Sequence, residues 1–378
     1  MIYCDFQGKK LSALGLGCMR LPCIDGNNSN IDMDASREMV AYAFDKGINY
    51  FDTAWGYHSG GSELAMGELL SAYPRESFYL ASKFPGYDIS NMDKVATIFE
   101  RQLEKCKVDY FDFYLFHNVS EKNIDPYLDE RFGIYDYLME QKKNGRIKHL
   151  GFSTHGSLRT MKRFLDAYGK DMEFCQLQIN WLDWEFQNAK AKVELVSSYG
   201  IPVWVMEPVR GGSLVKLAPE YEAELKALRP EATLAEWAFR FIQGIDTVKV
   251  TLSGMSDLTQ LKENIATYER LDPLSNEEKA VLLRIAHEKI TKTSLPCTSC
   301  KYCTEHCPMG LDIPWIIELY NEHVYSGGGF IAPMALESVA ENKLPSACLG
   351  CRACEEVCPQ GIRISEMMSD FTKRLKDE

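Results

Sequence analysis

Two stretches in the last quarter of this chain share one cysteine pattern. "CTSCKYCTEHCP" runs from Cys297 to Pro308 and "CLGCRACEEVCP" from Cys348 to Pro359, each reading C-x2-C-x2-C-x3-C-P. Thiolates are soft ligands that suit iron–sulfur clusters or zinc. Zinc sites are usually built from two separated pairs. Three cysteines at x2 spacing, then a fourth before a proline, make the ligand run of a [4Fe–4S] cluster, here written twice. The other five of the 13 cysteines, Cys4, Cys18, Cys23, Cys106 and Cys175, are scattered and default to buried or inert positions. A second reactive set lies far upstream: Asp52 and Tyr57 in "FDTAWGY", Lys83 in "ASKF" and His117 in "LFHN". Singly, Asp52 could cap a helix, Tyr57 could be a loop aromatic, Lys83 could face solvent and His117 could sit satisfied in a core. Together they suit the reduction of a carbonyl, which needs a proton for the forming alkoxide. A tyrosine of ordinary pKa near ~10 is a weak acid, and a lysine cation beside it is expected to lower that value. The carboxylate would hold the lysine, and the histidine would orient the carbonyl oxygen.

These side chains cooperate only if the fold gathers them. After a short hairpin turning at Gln7-Gly8, strand-like and helix-like segments alternate. Strand-like runs end near Gly17 and cover Gly47 to Ala54, Ser77 to Phe84, Tyr110 to His117, Ile147 to Ser153, Phe174 to Asn180, Pro202 to Pro208 and Asp246 to Gly254. Helical patterns include Ser62 to Tyr73, Asn91 to Lys105 with Asn91 as N-cap, Gly133 to Asn144, Ser157 to Tyr168, Gln187 to Tyr199, Thr233 to Gln243 and Leu258 to Tyr268. The strands are short apolar runs, as expected when both faces are buried. Eight βα units over ~250 residues predict an α/β fold, a (β/α)8 TIM barrel. The rival Rossmann fold is disfavoured, because "GLGCMR" (Gly15 to Arg20) lacks the third glycine and a long helix directly after it. TIM-barrel active sites lie at the C-terminal strand ends, where Asp52, Tyr57, Lys83 and His117 fall. After Leu271 the texture changes. A charged helix is expected from Ser275 to Ile290, a second in "LDIPWIIELYNEHVYS", a break at Gly327-Gly328-Gly329 and a third in "MALESVAEN". The expected domains are the barrel over 1–290 and a small, mostly α-helical domain over 291–378.

On these residues the chain resembles the aldo-keto reductase superfamily. Asp52, Tyr57, Lys83 and His117 look like its catalytic tetrad, "FDTAWGY" resembles its signature, and the likeness covers roughly Leu11 to Leu271. With the cysteine runs, the whole is similar to the subgroup that carries a C-terminal two-[4Fe–4S] ferredoxin-type domain. The resemblance implies a nicotinamide cofactor, NADP or NAD, extended across the barrel mouth. It implies contacts from Gly17, Cys18, Met19 and Asp52, and from Ser153 and Thr154 on the carboxamide with Gln176 beside them. "EPVRGGSL", preceded by Met206, would lie over the pyrophosphate through Glu207, Pro208, Gly211, Gly212 and Leu214. The two glycines would let backbone N–H groups approach phosphate. "SGMSDLTQLKENI" would hold the adenosine end through Gly254, Met255, Asp257, Gln260, Glu263 and Asn264. Met206 stands where many relatives place an aromatic residue, and Gln260 where many NADPH-preferring relatives place an arginine. NADPH and NADH therefore both stay open, and there is room for a flavin instead, although no flavin motif is visible. Trp55, Trp181 and Trp184 are candidates for lining the substrate pocket. In two-cluster ferredoxins the fourth cysteine of each run serves the other cluster. The resemblance therefore implies one ligand set of Cys297, Cys300, Cys303 and Cys358, and another of Cys348, Cys351, Cys354 and Cys307.

The function expected is an oxidoreductase that reduces an aldehyde or ketone with NAD(P)H, or oxidises the alcohol. Its clusters would exchange electrons with a ferredoxin or another carrier. One alternative keeps the reductase and makes the clusters a structural staple of the small domain. Another is a redox-sensing regulatory protein that binds nicotinamide, which would have no need of an acid at Tyr57. Hydrophobic residues at 46% and charged residues at 25% describe a globular chain. The net charge of -12 argues against nucleic acid and anionic membrane as partners. "MIYCDFQGKKLS" has no apolar signal core and no apolar run approaches ~18 residues, so a cytoplasmic location is expected.

Overall fold

The computed structural model describes residues 1–377. It divides into two compact units, Met1–Leu283 and the residues from Arg284 onward. The division falls inside the helix Asn276–Thr293, upstream of the break expected near Thr291. In the first unit, β1 (Tyr3–Phe6) and β2 (Lys9–Ser12) pair antiparallel. Gln7 and Gly8 between them have φ of 51° and 78°. Positive φ at both central residues is what a two-residue hairpin turn of the favoured hand requires.

Eight parallel strands follow: β3 (Leu14–Gly17), β4 (Tyr50–Asp52), β5 (Tyr79–Phe84), β6 (Phe111–Val119), β7 (Ile147–Thr154), β8 (Phe174–Gln178), β9 (Val203–Met206) and β10 (Val248–Ser253). They close into a barrel in the order β10-β3-β4-β5-β6-β7-β8-β9, the (β/α)8 architecture that the alternating segments predicted. Tyr50, Ala81, Phe113, Phe174, Trp204 and Val250 come from the barrel strands and form one buried cluster with Phe6 and Leu11 of the hairpin. The ring of Phe6 lies 5.1 Å from Trp204 and 5.7 Å from Phe113, so the hairpin seals the end where these strands begin. Burying each such side chain is worth about 1.5–3 kcal/mol. Gly15 belongs to the same fit, because a Cβ there would stand 2.8 Å from Leu252 Cδ2.

The outer helices begin where polar side chains satisfy free N–H groups. Ser157 accepts from Thr160 N, Thr233 from Glu236 N and Asp257 from Gln260 N. One expected cap is corrected. Asn91 does not start a helix. It lies within a 3-10 segment, Ile89–Lys94, capped by Asp88 through Ser90 N, and the α-helix begins only at Val95. Asn91 instead donates its amide to Pro85 O at 3.2 Å.

The second unit is helical, with helices Ile313–Ser326, Ile331–Leu336 and Ile364–Arg374 and two one-turn helices, Tyr302–Glu305 and Ala353–Glu356. Its own core holds Ile313, Ile316, Ile317, Leu336, Met368 and Phe371. The helix expected across "MALESVAEN" stops at Leu336. The backbone repeats itself around the two cysteine runs. Ser299 and Gly350 have φ of 54° and 66°, Lys301 and Arg352 66° and 63°, and Gly310 and Gly361 57° and 62°. Among the described residues no helix is long and apolar enough to cross a membrane.

Candidate active site and cysteine cavities

Asp52 is the last residue of β4, and its neighbour across to β5 is Ala81. Lys83 follows two residues later, on the same face of its strand. Its Nζ donates to Asp52 Oδ1 at 2.5 Å and Thr53 O at 2.8 Å, and lies 3.4 Å from Tyr57 Oη. Lys83 is 1% exposed and Asp52 2%. Tyr57 opens the short turn Tyr57–Gly60, in which His58 and Ser59 take φ of 53° and 54°. His58 pins this turn: its Nε2 accepts from Leu21 N at 3.1 Å and its Nδ1 lies 2.8 Å from Asn28 O. His117 lies in β6, which runs on to Val119 past a register shift between Phe116 and Val119, with Asn118 at a φ of 53°. Such bulges re-aim side chains beside active sites. The His117 ring stands edge-on to Tyr57 at 6.1 Å. The four residues expected from sequence are thus brought together.

The electrostatics follow from burial. Desolvation pushes Lys83 down, but Asp52 and Tyr57 more than restore it, so its pKa is raised and it remains a cation. Burial raises Asp52, and Lys83 opposes this. Burial also raises Tyr57, with Lys83 pulling the other way. The expectation that Lys83 leaves Tyr57 below its ordinary value is therefore corrected. Desolvation outweighs the cation, and Tyr57 at neutral pH is a phenol carrying its proton. His117 is driven well below its usual value by burial and by Lys83, which makes it neutral. Asp52 Oδ2 and His117 Nδ1 are buried without a hydrogen-bond partner among the described residues.

A cavity of about 730 Å³ opens beside this cluster, lined by Asp52, Tyr57, Gly17, Met19, Gln176 and Met206, among others. Glu207, Pro208, Gly211, Gly212, Gly254, Gln260, Glu263 and Asn264 continue its wall. Gln176 is 3% exposed, and its amide has no partner among the described residues, as a site for a bound amide would leave it. Other expected contacts are not on the wall. Cys18, Leu214 and Met255 are buried. Ser153 Oγ already accepts from Asn118 N at 2.8 Å, and Thr154 Oγ1 donates to Val119 O at 2.6 Å, both consequences of the β6 bulge. Asp257 and Gln260 cap one helix together. Asp257 accepts from Gln260 N and Nε2, and Gln260 Oε1 accepts from Ser256 N. The Gly212 N–H is also occupied, donating to Val209 O at 3.0 Å. Of the three tryptophans expected at the pocket, none lines this cavity. Trp181 is buried, Trp184 packs edge-on to Phe241 at 5.6 Å, and Trp55 lies under Lys105 Nζ at 4.6 Å. Trp237 lines it instead.

Two residues escaped the sequence reading. Tyr87 lies just past the end of β5, with its ring edge-on to His117 at 5.1 Å. Its hydroxyl, pushed up to about 12 by burial first, stays protonated. Arg20 lies on the cavity wall beside Gly211 and Gly254. It was in view as the last residue of "GLGCMR", but no spacing rule marked it.

In the second unit the eight cysteines sort four and four. One cavity is lined by Cys297, Cys300, Cys303 and Cys358, the other by Cys307, Cys348, Cys351 and Cys354. In each set one member is exposed (Cys300, Cys351) and one is buried (Cys303, Cys354). All eight are free thiols. Among the described residues no three His, Cys, Asp or Glu side chains stand close enough to hold a single metal ion.

Comparison with known proteins agrees with this division. Residues 13–285 match the model of the aldo/keto reductase family, and residues 296–362 that of a 4Fe-4S dicluster domain. A probable aldo-keto reductase 1 of Glycine max is 28% identical over 296 residues, covering 68% of this chain and 81% of that protein. An L-galactose dehydrogenase of Arabidopsis thaliana is 24% identical over 300 residues, covering 72% and 89%. The solved structure of aldo-keto reductase AKR11C1 from Bacillus halodurans, in its holo form, superposes with a TM-score of 0.61. It is 25% identical and covers 75% of this chain and 96% of that one.

Proposed function

The chain belongs to the aldo/keto reductase family and is an oxidoreductase with a 4Fe-4S domain, and from this premise we propose the chemistry of each unit. The barrel interconverts an aldehyde or ketone and its alcohol with a nicotinamide nucleotide, and the second unit carries two [4Fe–4S] clusters that exchange electrons with a carrier. The observation that carries the first half is the buried contact of Lys83 Nζ with Asp52 at 2.5 Å and Tyr57 at 3.4 Å, of which Asp52 and Tyr57 line the large cavity.

Bound nicotinamide supplies or accepts the hydride. The chain's own residues manage the proton and the geometry. In reduction, Tyr57 Oη–H donates to the substrate oxygen as the C–H bond forms. Lys83, held charged by Asp52, stabilises the phenolate left behind. Neutral His117 offers a ring N–H to the same oxygen and orients it. In oxidation the phenolate takes the proton back. Gln176 has the free amide to meet a carboxamide. Gln260, committed to its helix cap, brings no cation to a 2′-phosphate, which favours NADH over NADPH. In the second unit, Cys297, Cys300, Cys303 and Cys358 would hold one cluster and Cys307, Cys348, Cys351 and Cys354 the other. The exposed Cys300 and Cys351 support exchange with an outside carrier over a purely structural role.

The test has two parts. Tyr57→Phe should lower kcat for aldehyde reduction about ~10²-fold or more while leaving NADH binding intact. Separately, anaerobic protein is mixed with NADH or NADPH while the visible absorbance of the clusters is followed. Bleaching supports electron exchange between the units. Unchanged absorbance during carbonyl turnover would mean that the two units are uncoupled under those conditions, leaving the clusters structural or served by an electron donor not yet added.

A further inference from the structure

The large cavity is anionic in character, since Asp52, Glu207, Glu222, Glu231 and Glu263 all line it. A diphosphate placed in that field is held more tightly where a cation answers it. Two basic residues are on the wall, Arg20 and Lys226. Lys226 is already paired with Glu222 at 2.8 Å. Arg20 is exposed and makes no hydrogen bond or ion pair among the described residues. Its side chain lies between two backbone segments of the wall. Its Cβ, Cγ and Cδ lie 3.2 Å from where a Cβ on Gly254 would stand, and its Nη2 lies 3.2 Å from the same point on Gly211. The glycines leave the room that the arginine fills. The backbone donors expected over the diphosphate are partly spent, with Gly212 N–H on Val209 O.

We infer that Arg20 is the cation that binds the diphosphate of the nucleotide, reaching it from between Gly254 and the Gly211–Gly212 turn. A guanidinium is planar, always charged and able to grip phosphate through two donors, which suits it to this role. The stem runs alongside Gly254, which places the guanidinium at the Gly211 turn. Arg20 is a binding and positioning residue, not one that touches the reacting atoms. The inference rests on the reading of this cavity as a nucleotide site.

The test uses full-length protein, with affinities for NADH, NADPH, ADP-ribose and adenosine measured by calorimetry. Arg20→Met keeps the stem and removes the charge. It should weaken NADH and ADP-ribose about 10- to 100-fold, the scale of charge-assisted hydrogen bonds, and leave adenosine unchanged. Arg20→Lys should recover part of the loss. Unchanged ADP-ribose affinity in Arg20→Met would overturn the assignment. So would a loss confined to NADPH, which would give Arg20 to the 2′-phosphate. If the parent protein binds neither NADH nor NADPH, the nucleotide reading of the cavity falls and Arg20 with it, a result separable from the others.

Discussion

Removing Lys83 probes the balance that sets Tyr57. Its Nζ is 3.4 Å from the phenol oxygen. At an effective dielectric of about 20, a unit charge at that range is worth about 5 kcal/mol. Asp52 cancels part of this, because its negative charge acts on Tyr57 in the opposite sense. Lys83→Met alone would also leave a buried carboxylate unpaired, at about 3–5 kcal/mol of stability. The informative variant is therefore Lys83→Met with Asp52→Asn. Lys83 acts on Tyr57 more strongly than Asp52 does, so losing both should raise Tyr57 further. The assay is the pH profile of kcat/KM for alcohol oxidation, where the phenolate is the base. The rate climbs with pH to a plateau set by Tyr57, and the variant's climb should move to higher pH. Below it, the rate should fall about tenfold per unit of displacement. In the reduction direction the alkaline decline should move the same way. A limb that stays put or moves to lower pH refutes the reasoning, as does a parental limb that survives in Tyr57→Phe.

Two further outcomes follow from other parts of the molecule. Glu173 is pushed up by burial, but His149, Lys142 and Gln7 together hold it down to about 2. Against an unfolded value near ~4.3, it contributes stability above that pH, roughly 3 kcal/mol, which is lost as pH falls through about 2. Urea midpoints at pH 5 and 2.5 should therefore converge for Glu173→Gln relative to the parent; an equal acid loss in both would contradict this. Cys358→Ser and Cys307→Ser should each remove about half of the iron and of the visible absorbance. Loss of all iron from either one, or of none, would argue against the four-and-four division.

The barrel was legible because its strands are short apolar runs separated by turns, and because Gln7-Gly8 writes the hairpin directly. The tetrad was legible for a related reason: each member falls at or just past a strand end, and a closed parallel barrel puts those ends side by side. What was not legible depends on distant packing. The direction of the Tyr57 shift turns on desolvation, which no spacing encodes. Ser153 and Thr154 have the right residue types, but the bulge in β6 brings Asn118 N and Val119 O to their hydroxyls first. Asn91 fell inside a 3-10 segment capped by Asp88, and the α-helix began only at Val95. Arg20 acquires meaning only once Gly211 and Gly254, far apart in sequence, are seen on either side of it. The cysteine sets were anticipated by the rule of crossed runs, and the two cavities divide the eight residues in the same way.

That division has a consequence for how the protein is made. Translation delivers the chain from the N-terminus at about 5–20 residues per second. Cys297, Cys300 and Cys303 emerge first, yet their cavity is completed only by Cys358, the last of the eight. The other cavity, whose first member Cys307 appears next, is complete once Cys354 has emerged. The site begun first is thus finished last, after several seconds with three of its thiols waiting. A chain truncated between Cys303 and Cys358 carries an open half-site, so the order of synthesis makes the first cavity a record of whether translation has passed Cys358.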